Sequence, residues 1–317
     1  MENAAQLPVS GRDTETTIIP DSPYIHAATS DNTRLAYQSD IQHFLQSGGT
    51  LPATPEDLER YLKDSAPQYN ARTLTRRMTA LRQWHRLQGV KDPTQDPRVK
   101  KTLRGIARLH GQPKQQAHAL RLQDLDLILA HLKAPRSLAR IRNRALLLVG
   151  FFGAFRRSEL VALTWEQTQF VSDGLIITLA RSKTDQVGQG AQVIIPFGND
   201  TRCPVRALLD WRQASAQWSG AIFRRISKAG NINDKGICAR YWNRLIRDLA
   251  IAAKVPNAEQ VSSHSLRRGF ATEAARLGAS MPAIQRHGRW RSTKTVLEYI
   301  ESGRQFSDSA VNVLFEF

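Results

Sequence analysis

The sequence predicts a mainly α-helical protein with a small antiparallel β-sheet, built as two domains. Three observations carry that expectation. Apolar residues recur at helical spacing over most of the chain from Tyr24 onwards. The period turns strand-like only at Gly174–Leu179 and Ala191–Pro196. A stretch containing Pro113 and a Gln run (111–120) interrupts the helical pattern, and 317 residues are enough for a core on each side of it.

Residues 1–23 are polar and aperiodic and are expected to form a disordered arm. The first domain is expected over 24–111. Ser30-Asp31 caps a helix whose apolar face is drawn through Leu35, Ile41, Phe44 and Leu45. Thr54 as N-cap and Pro55 at the first position open a second helix. A third runs over about 71–87 and ends at Gly89; a fourth follows Asp96-Pro97 and ends near Gly111. Residues 112–117 read as a linker, and 118–317 as the second domain. That domain opens with helices at about 122–133 and 137–152. Two strands follow, joined by the loop ARSKTDQVGQG, and helices are expected from about Pro204 to the end.

Charge narrows the function class. The chain holds 45 Lys+Arg against 28 Asp+Glu, a net charge of +17, with a pI near 10.5. A chain this basic is suited to a polyanion, with nucleic acid the first candidate. No apolar run approaches the roughly 18 residues that a spanning helix needs, and no signal-peptide layout opens the chain, so a cytoplasmic, nucleoid-associated protein is expected. Two distant cysteines offer neither a disulfide framework nor metal-ligand spacing; no cofactor and no metal are expected. Segment 24–117 has 15 basic against 8 acidic residues, and 118–317 has 29 against 16. In the third and fourth helices Arg72, Arg76, Arg77, Arg82, Arg86, Lys100, Lys101 and Arg104 are candidates for DNA phosphate contact.

Five stretches carry residues suited to chemistry at a phosphate. In GAFRRSEL (153–160), on an expected helix, Arg156 and Glu159 stand at i, i+3, where a carboxylate can steady a guanidinium. Lys183 lies in the strand–strand loop. In SSHSLRRGFAT (262–272) His264, Arg267 and Arg268 stand at i, i+3 and i+4 behind a serine cap. HGRWRS (287–292) centres on Trp290, and TVLEYIE (295–301) contains Tyr299. Each stretch taken singly also reads as a surface ion pair, a solvated charge or an ordinary core aromatic.

In this order the stretches resemble the tyrosine site-specific recombinase (phage integrase) family. Its pattern is an R-x-x-E helix, a hairpin lysine, an H-x-x-R helix, a His or Trp, and a nucleophilic Tyr nine residues later. Trp290 and Tyr299 have that spacing. Trp at this position resembles the Cre recombinase rather than the Xer proteins, although His287 is a rival for the role. The resemblance covers the chain from about residue 24. It implies a two-domain, C-shaped DNA clamp: an α-helical core-binding domain plus an α+β catalytic domain. The implied activity is DNA cleavage and rejoining through a 3′-phosphotyrosine and a Holliday junction. Tyr299 would be the nucleophile, Arg156, His264, Arg267 and Trp290 the donors to phosphate, Lys183 the acid, and Glu159 the support of Arg156. The implied partners are double-stranded DNA with a short inverted-repeat core site, and a homotetramer on two duplexes. The apolar stripe Val311, Leu314 and Phe315 is read as a protomer contact. No separate arm-binding domain is expected. Two other readings are a type IB topoisomerase-like relaxing enzyme and a DNA-binding regulator with a decayed site.

Overall fold

The computed structural model describes residues 24, 28–113, 117–134, 137–179, 190–198 and 201–315. The expected N-terminal arm, part of the linker and the loop that carries Lys183 lie outside these residues. The chain divides into two compact units, Met1–Gln115 and Gln116–Phe317.

Among the described residues, the first unit is built on the helices α1 (Asp31–Gln46), α2 (Pro55–Ser65), α3 (Ala71–Leu87) and α4 (Pro97–Leu109). Each begins at a capping side chain: Ser30, Thr54, Asn70 and Asp96 accept a first-turn N–H. At Thr54 the cap is reciprocal, since Asp57 N–H donates to the Thr54 hydroxyl and Thr54 N–H to the Asp57 carboxylate, each at 3.1 Å. Such a cap stabilises a helix by about 1 kcal/mol. α1 packs on α3, and α2 on α4, around Ile41, Phe44, Leu58, Leu62, Leu74, Leu81 and Val99. Leu35, expected on this face, is 63% exposed. The reason is helical arithmetic: Leu35 lies nine residues, two and a half turns, before Phe44, and so on the opposite side of α1.

The second unit is built on α6 (Leu138–Phe152), whose residues Ala145–Phe151 are all buried. It packs against α8 (Pro204–Ser215) and α10 (Ser263–Arg276). Around it stand α5 (Leu122–Lys133), α7 (Arg157–Val161), α9 (Ala239–Ala252), α11 (Met281–Gly288) and α12 (Thr293–Arg304). The two anticipated strands, β2 (Gly174–Leu179) and β3 (Ala191–Pro196), pair antiparallel, with Ile177 facing Val193 and Leu175 facing Ile195 on the buried side. They belong to a three-stranded sheet completed by β1 (Thr168–Val171), which the periodicity did not reveal. A second hairpin, β4 (Arg224–Ile226) with β5 (Ile232–Gly236), was also not anticipated, and it interrupts the run expected to be helical. Its strands are short and polar and lack alternation. The tertiary contacts of Arg224 hold it: bonds to the carbonyls of Ser219 and Ala221 and to the Asp234 carboxylate. Buried Arg142 of α6 in turn donates to the Arg224 carbonyl at 2.9 Å.

Two features set the position of α10. Its Ser265 carbonyl accepts from Leu120 N–H at 3.2 Å. At Gly269 a Cβ would sit 1.9 Å from the Leu120 carbonyl oxygen, so only glycine lets the extended segment before α5 lie against this helix.

Candidate active site

Arg156 is not inside a helix, as the sequence suggested, but is the N-cap of the short α7. α6 ends at Gly153, and a turn through Ala154, at φ +45°, delivers the chain to Arg156. The i, i+3 pair with Glu159 is therefore a capping arrangement. Arg156 N–H donates to Glu159 Oε2 at 2.9 Å, and its Nη1 donates to Oε1 at 2.6 Å. Both contacts draw a buried carboxylate towards one arginine. Burial alone would raise the Glu159 carboxyl; the guanidinium and backbone bonds from Arg156, with the charge of Arg289, hold it below the ordinary value. Glu159 is ionised at neutral pH.

Arg267 projects from α10 into the same region and is only 6% exposed. Its two terminal nitrogens donate to the carbonyls of Ala154 and Gly288. Arg156 Nη2 donates to the next carbonyl along, that of Arg289, at 3.2 Å. The two guanidiniums thus hang side by side on consecutive peptides. Burial, then the facing charges of Arg156 and Arg289, push Arg267 down to about 9. A site that strains to keep its positive charge is one that an arriving anion relieves.

The Trp290 ring covers Arg267, with the guanidinium carbon 4.1 Å from the ring centroid. Its other neighbour is the Tyr299 ring on α12, edge-on at 5.7 Å. Gly288 is needed here, because a Cβ would lie 1.6 Å from the indole. Burial raises the Tyr299 phenol, against the pull of Arg267 and then Arg268. Tyr299 is therefore a protonated phenol at neutral pH.

His264, in the first turn of α10 behind the Ser262 cap, is exposed one turn before Arg267. Arg268 turns away from the cluster: its Nη1 donates to the Ala117 carbonyl at 2.9 Å. His287, the rival to Trp290, is engaged elsewhere. Its Nε2–H donates to the Phe152 carbonyl at 2.6 Å, and its ring stacks on Phe270 at 4.7 Å. Lys183 lies outside the described residues. Arg156, Glu159, Arg267, Trp290 and Tyr299 come together from α7, α10, the segment after α11, and α12.

One member of the cluster went unread in the sequence. Arg289, between Gly288 and Trp290, caps α11 in the left-handed region at φ +56°. Its Nη2 donates to Glu159 Oε2 at 3.2 Å, and its guanidinium lies 5.1 Å from the Phe155 ring centroid. With Arg286 and Arg291 close by in the sequence it looks like surface charge, and no spacing rule singles it out.

The candidate DNA-facing residues of the first unit separate. Arg77 is a correction: it is 6% exposed, lies 3.9 Å from the Tyr69 ring centroid, and donates to the Tyr61 hydroxyl at 3.1 Å. Held between two tyrosines and beside Asp40, this guanidinium is already compensated within the bundle. Arg76 is half exposed but forked onto Asp40, with two bonds of 2.8 Å. Arg82 and Arg86 lean towards Asp92 at 3.7 and 3.9 Å. Arg72, Lys100, Lys101 and Arg104 are exposed.

Comparison with known proteins agrees on one family. Residues 118–305 match the phage integrase family, and residues 24–88 match the phage integrase N-terminal SAM-like domain. The chain is 34% identical over 300 residues to an integrase/recombinase XerD homologue of Selenomonas ruminantium, covering 92% of this chain and 87% of that protein. It is 24% identical to the Cre recombinase of Escherichia phage P1, over 80% of this chain and 77% of the relative. Among solved structures its fold is similar to that of the XerH site-specific recombinase bound to palindromic difH substrate in a post-cleavage complex. There the TM-score is 0.65 at 16% identity, over 90% of this chain and 79% of that one.

Proposed function

The chain belongs to the phage integrase family of tyrosine recombinases, and on that footing we propose that Tyr299 is its nucleophile, served by Arg156, Arg267, His264 and Trp290. It is a site-specific DNA recombinase, an enzyme that cuts and rejoins DNA strands. The observation that carries the residue assignment is the cluster itself. The Trp290 ring touches both the buried Arg267 guanidinium and the Tyr299 phenol, and half-buried Arg156 donates to the carbonyl next to one that seats Arg267.

The chemistry follows from the charges. The Tyr299 oxygen bonds to a backbone phosphorus as the bond to the 5′-oxygen breaks, and the five-coordinate transition state carries extra negative charge. Arg156 and Arg267 meet that charge with planar guanidinium forks that are cationic at neutral pH. Preorganised donors of this kind contribute about 3–4 kcal/mol each. Trp290 and His264 add N–H donors, and Glu159 orients Arg156. Lys183 protonates the departing 5′-oxygen. The ester keeps the energy of the broken bond until a 5′-hydroxyl from a partner strand attacks it, which frees Tyr299; a Holliday junction is the intermediate of the double exchange.

Domains at 24–111 and 118–317 hold double-stranded DNA carrying a short inverted-repeat core site, the first through Arg72, Arg76, Arg82, Arg86, Lys100, Lys101 and Arg104. Four protomers assemble on two duplexes. Beyond α12, the turn Ala310–Phe315 leaves Leu314 72% and Phe315 82% exposed, which supports a tail offered to another protomer. A relaxing enzyme with the same chemistry is less favoured, since the relatives above are recombinases and integrases and relaxation needs no apolar tail.

The test uses a duplex selected from a randomised library by its binding to the full chain and then nicked beside the cleavage point. Wild type is expected to form a covalent adduct on this suicide substrate, and Tyr299→Phe none. An adduct with the phenylalanine variant would remove Tyr299 from the role. Lys183→Ala should cleave slowly, with rescue by a 5′-bridging phosphorothiolate, whose sulfur leaves without a proton; absence of rescue would end the assignment of Lys183.

A further inference from the structure

We propose that Arg289 is a positioning residue for strand cleavage, which neutralises the Glu159 carboxylate so that Arg156 presents its full positive charge to the scissile phosphate. The proposal rests on the reading of Arg156 as a phosphate donor. Glu159 binds Arg156 through both oxygens, one to the side chain and one to the backbone N–H. Alone, that pair has no net charge, and a buried carboxylate beside a phosphate site repels the substrate. Arg289 changes the balance. Its guanidinium reaches Glu159 Oε2 and is itself buried, with 9% of its side chain exposed. Two arginines then share one carboxylate, and a unit of positive charge is left over beside Arg267.

Arg289 also holds the geometry. Its own carbonyl accepts from Arg156 Nη2, and its nitrogens reach the carbonyls of Gly153 and Ala154 at 3.4 Å and His287 at 2.9 Å. The Ala154 carbonyl is also a seat of Arg267. One residue thus touches the turn that seats Arg267 and the Glu159 carboxylate, and its own carbonyl seats Arg156. These contacts are kept at a local cost. Arg289 stands at φ +56°, where glycine is favoured, and its buried Nε has no hydrogen-bond partner among the described residues. Strain of this kind persists where the surroundings over-determine it, and it concentrates at functional sites.

The test is a double-substitution cycle on the suicide duplex described above, read as the single-turnover rate of adduct formation. Arg289→Met is expected to slow the adduct about 30-fold, and in a Glu159→Gln background to cost less than about threefold, because its target charge has gone. Duplex affinity should stay within about threefold in both backgrounds, since the loss belongs to the transition state. Arg289→Gly, which suits the left-handed backbone, should be as slow as Arg289→Met, so the loss cannot be a backbone effect. Arg289→Lys should recover part of the rate. An equal loss in both backgrounds, or no loss, overturns the proposal. Unfolding of all three Arg289 variants at the assay temperature also overturns it, in favour of a purely structural arginine. If wild type forms no adduct, the reading of the site fails first, and this inference with it.

Discussion

The two units handle positive charge in opposite ways. In the helical unit buried Arg77 has the Tyr61 hydroxyl and Asp40 beside it, while half-exposed Arg76 and Arg98 pair with Asp40 and Glu56. In the catalytic unit Arg156, Arg267 and Arg289 gather around the single carboxylate of Glu159. Formal charge is therefore a poor guide to where an anion is wanted. A compensated arginine is already neutralised where it stands, whereas an under-compensated buried cluster gains from an arriving anion.

That contrast can be broken most directly at Arg267. Replacing it with alanine is expected to slow adduct formation about a thousandfold with little change in duplex affinity, because the donor acts on transition-state charge. A fall of only a few-fold would place Arg267 with the structural arginines. The mirror experiment is Asp40→Ala in the helical unit. It strands Arg77, whose side chain is 7% exposed, and is expected to destabilise that unit by about 3 kcal/mol in urea unfolding. Stability within about 0.5 kcal/mol of wild type would show that the compensation is idle.

Salt dependence sharpens the comparison within the helical unit. Lys100→Gln with Lys101→Gln should lower the slope of log affinity against log salt by about 2, as expected for two lost phosphate contacts. Arg77→Gln should leave that slope unchanged, since its guanidinium faces Tyr61, Tyr69 and Asp40. Equal effects from both would undo the separation of exposed from compensated charge.

The smallest effect concerns His287 in the catalytic unit. Burial, then the charges of Arg289 and Arg267, lower it below its ordinary value, against the Phe152 carbonyl bond that raises it. The folded state therefore excludes a proton that the unfolded state accepts near pH 6.5. Stability from this group is present above that pH and is lost as the pH falls through the lowered folded value. The urea midpoint should drop between pH 7.5 and 5.5, and His287→Gln should reduce that drop. An unaltered acid slope in the variant would assign the loss to other groups, His43 of the helical unit among them, which is lowered in the same sense by burial and Arg77.

Much of the fold was legible because its signals are local. Thr54-Pro55 and Asp96-Pro97 announced helix starts by their own chemistry, and the structure has caps at both. The failures have local causes too. β4 and β5 carry no alternating apolar face to betray a strand. Leu35 was placed by hydrophobicity when the helical period already set it opposite Phe44. At the site, Arg156, Glu159, Arg267, Trp290 and Tyr299 could be named because family resemblance ties them to short motifs, while Arg289 belongs to none.

By itself the sequence determined the family, the order of the helices, the capping chemistry and the residue types that a phosphate requires. All of these are written within a few neighbouring positions, where capping bonds and helical period act. Only the tertiary structure decided which charges are compensated. It encloses Arg77 beside Tyr69, turns Arg268 towards Ala117, and carries Arg289 across 130 positions to Glu159. The physical reason is that the free energy of a charge depends on what surrounds it in space, and packing alone brings together groups so distant along the chain.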